Sequence, residues 1–156
     1  MFRPLTGKNT VFAPATGNVK RLQDVRDDVF SRGLMGPGLA IDMDGRDCKV
    51  YSPVDGEVVA LYPTGHAIGI RSSGGVELLL HVGLETFRNS DLIRKYITQG
   101  QRVRRGQPLV EIKRQWAGAD DRMVILTLPG RTDGRQSITS EGKVTARKSI
   151  VIELLD

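Results

Sequence analysis

A short corner motif recurs along this chain, and it constrains the fold more than any other feature. Val11-Phe12-Ala13-Pro14-Ala15-Thr16-Gly17-Asn18-Val19 and Tyr51-Ser52-Pro53-Val54-Asp55-Gly56-Glu57-Val58-Val59 share the pattern Pro-x-x-Gly-x-Val, and Ser140-Glu141-Gly142-Lys143-Val144 is a weaker third echo. Each copy sets a turn glycine before a β-branched residue, where the chain must reverse and then re-enter a strand. The copies are too short and irregular for a stacked repeat array. They read as similar corners of one β-sandwich or flattened barrel.

The rest of the chain agrees. Gly100 to Ile112 supplies a strand pair with Gly106 at its corner, and Val124 to Leu128 and Ser149 to Leu154 supply further strands. One short helix is expected from Ser90 to Gln99, with Ser90 as N-cap, Leu92, Ile93, Tyr96 and Ile97 on one face, and Gly100 to end it. Gly118 to Asp121 and Leu128 to Ser137 read as loops, and Trp116 as a packing residue. The expected fold is all-β: an antiparallel sandwich or flattened barrel with short helices. Residues 1-10 are expected to be a flexible lead and 11-156 a single domain. At 156 residues the chain can bury roughly two-thirds of its unfolded surface, enough to hold a rigid site without staples.

Composition narrows the function. With 39% hydrophobic and 26% charged residues, the chain reads as globular rather than disordered. Cys48, the single cysteine, cannot form an internal disulfide. No signal-like segment opens the sequence and no apolar run approaches the ~20 residues that span a bilayer, so a cytoplasmic location without membrane insertion is expected. The net charge of +5 would suit an acidic partner, but the basic residues are scattered, Arg102 to Arg105 being the densest cluster. Aromatic content of 5% offers few stacking platforms, which argues against nucleic acid.

The two histidines fall in one apparent hairpin: His66-Ala67-Ile68-Gly69-Ile70-Arg71, the loop Ser72-Ser73-Gly74-Gly75, then Val76-Glu77-Leu78-Leu79-Leu80-His81. A four-residue loop pairs Arg71 with Val76, and counting outward sets His66 directly opposite His81, with Cβ atoms about 5 Å apart. The two-residue period then puts Ile68, Ile70, Glu77 and Leu79 on the histidine face and Ala67, Leu78 and Leu80 on the other. Such a pair in apolar surroundings can titrate, bind a metal or accept a phosphoryl group.

At this point a family resemblance emerges. Val-Glu-Leu-Leu-Leu-His-Val-Gly-Leu-Glu (76 to 85), Thr-Gly-His-Ala-Ile (64 to 68), the two proline corners, Asp27-Asp28-Val29-Phe30 and Gly36-Pro37-Gly38-Leu39-Ala40-Ile41 together resemble the glucose-type IIA proteins of the bacterial phosphoenolpyruvate-dependent sugar phosphotransferase system, from Val11 to Leu154. The resemblance implies a glucose permease IIA-like sandwich, related to the barrel-sandwich hybrids, that needs no cofactor. It implies that His81 takes a phosphoryl group at Nε2 from the histidine-containing phosphocarrier protein HPr and passes it to a IIB domain of a membrane sugar permease. It further implies that His66 assists transfer, that Thr64 orients His66, and that Phe30, Leu34, Met35, Tyr62, Leu79, Asp27 and Glu85 surround the site and dock partners, with regulatory targets as further partners.

The residue types suit that chemistry, since a neutral imidazole is a good nucleophile and phosphoryl transfer rests on positioning and charge stabilisation. Glu85 stands where the family commonly has Asp, and the familiar enteric members are acidic whereas this chain is net +5. Two rivals stay open. A non-catalytic regulatory module would keep the fold and use the surface alone. A zinc metallopeptidase-like domain needs three protein ligands plus a base, for which the sequence offers His66 and His81 with Glu85 as the one candidate third ligand. No metal site is expected in the isolated chain, although the two histidines could form one that a partner's carboxylate completes.

Overall fold

The computed structural model describes residues 9–45, 47–83, 92–113 and 122–155. Within them the chain forms β1 (Thr10–Phe12), β2 (Gly17–Arg21), α1 (Asp28–Ser31), β3 (Gly38–Met43), β4 (Lys49–Tyr51), β5 (Gly56–Leu61), β6 (Ala67–Ser72) and β7 (Glu77–Val82). It continues with β8 (Ile93–Lys95), β9 (Arg102–Val103), β10 (Pro108–Ile112), β11 (Met123–Thr127), β12 (Gln136–Ile138), β13 (Lys143–Val144) and β14 (Ile150–Leu154). The main sheet has the order β13-β2-β3-β11-β7-β6-β5-β9, and two three-stranded sheets, β1-β14-β12 and β4-β10-β8, accompany it. The described pairs are antiparallel throughout, so the all-β sandwich expected from the sequence is the fold observed.

Strand alternation separates two apolar regions. Leu39, Ile41, Ile68, Ile70, Leu78, Leu80, Val82, Val124 and Leu126 project from one face of the main sheet into a core shared with Val11, Val50, Leu109, Val110, Ile112 and Ile152 of the smaller sheets. On the opposite face Ala40 and Ile125 pack with Val25 and Phe30, flanked by Leu22, Met35 and Met123. Central strands β3 and β11 are therefore buried on both faces, and the segment from Leu22 to Met35 covers the second face beside the histidines.

The recurring corners answer one another around an approximate two-fold. Phe12 N–H donates to the Pro53 carbonyl at 3.0 Å and Tyr51 N–H donates to the Pro14 carbonyl at 2.8 Å. Gly106 N–H bonds Ser52 O as Arg147 N–H bonds Ala13 O, and Val58 N–H bonds Gln101 O as Val19 N–H bonds Gly142 O. Arg105 N–H donates to the Asp55 carboxylate, and Ala146 N–H donates to the Thr16 hydroxyl. The Arg105 guanidinium stacks on Phe12 at 4.0 Å, while the Arg147 guanidinium stacks on Tyr51 at 4.6 Å. This correspondence explains Arg147, whose φ of 70° is left-handed: it holds the place that Gly106, at φ 86°, holds in the other half.

The expected helix from Ser90 to Gln99 is not formed in its described part. Ile93, Arg94 and Lys95 instead pair with Ile112, Glu111 and Val110 as β8. Leu92, Ile93 and Ile97 are buried as the helical pattern required, but an edge strand satisfies the same burial and also caps the open side of β10. Gln136 and Ser137, expected in a loop, begin β12. Trp116, Gly118 to Asp121 and nearly all of the expected lead lie outside the described residues. Among the described residues no helix is long and apolar enough to cross a membrane.

Candidate active site

His81 is the penultimate residue of β7, fixed by strands on both sides: it pairs with Ile125 of β11 and with Ala67 of β6. It points to the second face, together with Leu79 and Glu77, while Leu78, Leu80 and Val82 enter the main core. The hairpin register is one residue away from the expected one. Ser72 pairs with Val76, its N–H donating to Val76 O at 2.8 Å, and Gly75 N–H closes the turn onto Ser72 O at 2.9 Å. The loop is thus Ser73-Gly74-Gly75, with Gly75 at φ 88°, a three-residue turn closed by a left-handed glycine. Ala67 rather than His66 faces His81 directly, and Ile68 and Ile70 belong to the main core rather than to the histidine face.

His66 nevertheless reaches the site, because it precedes β6 and follows the left-handed turn at Gly65 (φ 78°). Its carbonyl accepts the Val82 N–H at 2.7 Å. The two imidazole centroids are 5.5 Å apart with planes at 75°. Thr64 Oγ1 is hydrogen-bonded to His66 Nδ1. When the hydroxyl donates, Nε2 carries the ring proton and the second nitrogen is a donor.

Aromatic edges wall the pair. Phe30 packs against His81 with centroids 5.0 Å apart, and Tyr62 against His66 at 5.2 Å. Phe30 is only 5% exposed, whereas Tyr62, packed on His66, is 54% exposed; Leu34, in the segment that follows α1, is 66% exposed. Met35 is half-buried against the Phe30 cluster, and Leu79 is half-buried next to His81 on β7. Asp27 precedes α1, its carboxylate accepting the Phe30 N–H at 3.4 Å. Glu85 lies outside the described residues.

Burial sets the electrostatics. It pulls the His81 pKa from 6.5 down to about 4, the neighbouring His66 pushes the same way, and Asp27 opposes them. Burial also lowers His66. Both rings are therefore neutral near pH 7, with lone pairs available as nucleophile or acceptor. Gly83, at φ 77°, gives its N–H to Met123 O at 2.7 Å and ends the strand. Among the described residues no three His, Cys, Asp or Glu side chains cluster so as to hold a metal ion.

Sequence reasoning did not single out Ala40, Val25 and Ile125, which pack beneath the His81 wall, nor Gly65 and Lys95, which support the His66 turn. The alternation around Ala40-Ile41 carried the first signal. Lys95 carried none, because its contact with Gly65 crosses between sheets.

An antiparallel sandwich that sets two neutral imidazoles side by side against aromatic walls has the chemistry to carry a transferable group on a ring nitrogen. Residues 9–127 match the family model described as phosphoenolpyruvate-dependent sugar phosphotransferase system, EIIA 1. The chain is 40% identical over 148 residues to the PTS system glucose-specific EIIA component of Bacillus anthracis, covering 92% of this chain and 87% of that protein. It is 43% identical over 102 residues to the glucosamine-specific EIICBA component of Bacillus subtilis, covering 65% of this chain and 16% of that longer protein. The solved glucose permease IIA of Mycoplasma capricolum superposes with a TM-score of 0.79 at 32% identity, covering 92% of this chain and 94% of that one. This chain belongs to the EIIA 1 family and is a phosphoryl-relay component of the sugar phosphotransferase system, a family that works with HPr and with IIB domains of sugar permeases.

Proposed function

We propose that His81 is the phosphoryl acceptor, that His66 assists the transfer, and that Thr64 orients His66. The observation that carries this reading is the burial of His81, which keeps its imidazole neutral and nucleophilic beside a second neutral ring. An N–P bond forms at His81 Nε2 as the N–P bond to the donor histidine of HPr breaks, so the donor leaves as imidazole and no cofactor is consumed. His66, held through Nδ1 by Thr64, donates from Nε2 to a phosphoryl oxygen and stabilises charge during onward transfer to the IIB domain.

Leu34, Tyr62, Met35, Leu79 and Phe30 form the apolar rim against which each partner excludes water, with Asp27 and Glu85 as the acidic contacts. Residues 11-156 act as one unit in the cytoplasm. The glucose-specific names of the relatives matched over most of their length point to a glucose permease on the downstream side. The test separates the two transfers. His66→Ala should still be phosphorylated by phospho-HPr but should donate poorly to the IIB domain. Loss of acceptance in His66→Ala, with His81 intact, would reverse the assigned roles.

A further inference from the structure

The turn that presents Thr64 and His66 is braced from outside its own sheet. Gly65 N–H closes the turn onto Tyr62 O at 2.8 Å, and Tyr62 N–H bonds Ala67 O at 3.1 Å. Gly65 is buried and left-handed, and a β-carbon there would come within 2.9 Å of both Ile93 Cγ2 and Lys95 Cγ. The Lys95 stem therefore lies across the glycine, while its ammonium donates to the Pro63 carbonyl. Lys95 ends β8, pairing with Val110.

Lys95 is exposed, yet among the described residues it forms no ion pair. Ordering a lysine side chain costs rotamer entropy. Here the return is contact with the two residues that flank Thr64 in sequence, rather than with a carboxylate.

We infer that Lys95 is a positioning residue for phosphoryl transfer, clamping Pro63 and Gly65 so that Thr64 meets His66 Nδ1 and the His66 ring faces His81. The inference rests on the reading of His66 as the assisting histidine. His81 is fixed separately by its pairing with Ala67 and Ile125. Loosening the clamp should therefore disturb donation, which uses His66, more than acceptance. Lys95 does not touch the reacting atoms; it acts through the turn.

The experiment compares the full chain with Lys95→Ala, Lys95→Met and Lys95→Arg. Nitrogen-15 NMR of His66 reads its tautomer and titration, and single-turnover assays with phospho-HPr and a IIB domain read the two transfers. Lys95→Ala should move His66 towards the mixed tautomers of a mobile imidazole and slow donation about tenfold, with acceptance changed less than about twofold. Lys95→Met, which keeps the stem without the donor, should fall between Lys95→Ala and wild type, and Lys95→Arg should restore both readouts. An unchanged His66 spectrum in a folded Lys95→Ala protein would overturn the inference, as would equal slowing of both steps. If His66→Ala itself donates normally, the reading of His66 fails, and the His66 spectrum of Lys95→Ala still decides whether the clamp exists.

Discussion

Phe30 meets His81 edge-on, with ring centroids 5.0 Å apart and planes at 64°, and so closes one side of the imidazole to water. That contact helps depress the His81 pKa, because desolvation is its largest cause. Phe30→Ala should raise the His81 titration midpoint from about 4 towards 6.5, measured by NMR, and should cost about 3–5 kcal/mol of stability by opening the second core. Phe30→Leu should keep most of the stability and move the midpoint less. An unmoved midpoint in Phe30→Ala would show that the ring does not desolvate His81.

The same desolvation makes stability depend on pH. In the unfolded chain His81 binds a proton below 6.5, whereas in the native protein it resists protonation until about 4. Its contribution is therefore fully present above pH 6.5, falls as pH drops towards 4, and levels off below. The full window is worth roughly 3 kcal/mol. Denaturant unfolding across this range should show the slope in wild type and a shallower one in His81→Leu. Equal slopes would assign the acid sensitivity to other groups.

Thr64 tests the orientation of His66. Thr64→Val keeps shape and removes the hydroxyl that bonds His66 Nδ1, so donation to the IIB domain should fall several-fold while acceptance is largely kept. Thr64→Ser should retain most of the donation rate. Equal rates for Ser and Val variants would leave the hydroxyl without a role.

Leu34 and Tyr62 are large apolar side chains left exposed, Tyr62 against His66 and Leu34 just beyond the helix that carries Phe30. Leu34→Ser and Tyr62→Ser should leave thermal stability within about 0.5 kcal/mol, as surface changes do. Each should raise the KM for phospho-HPr by about fivefold or more, the range of a modest interface anchor. An unchanged KM in both would place the docking surface elsewhere.

The sequence made legible what local chemistry dictates. Proline corners before β-branched residues demanded strand reversals, and Gly17 and Gly56 do begin β2 and β5. The histidine pair was legible because both residues lie near the same end of one hairpin. Its register was not, since Ser72 could stand either as the first loop residue or as the closing pair, and only the left-handed Gly75 settles it. Likewise Leu92, Ile93 and Ile97 fit a helical stripe, yet pairing with β10 is non-local information that no window of the chain contains. The clamp of Lys95 on Gly65 and the exchange of bonds between Pro14 and Pro53 share that property: each joins segments distant in sequence.

Intact-mass measurement after incubation with phosphoenolpyruvate, enzyme I and HPr, repeated with His81→Ala, tests the assignment of the acceptor most directly. Acceptance on His81 predicts one acid-labile gain of about 80 Da, the mass of a phosphoryl group, in wild type and none in the variant. A gain that survives in His81→Ala, or a wild-type chain that takes no phosphoryl group from its cognate carriers, would contradict it.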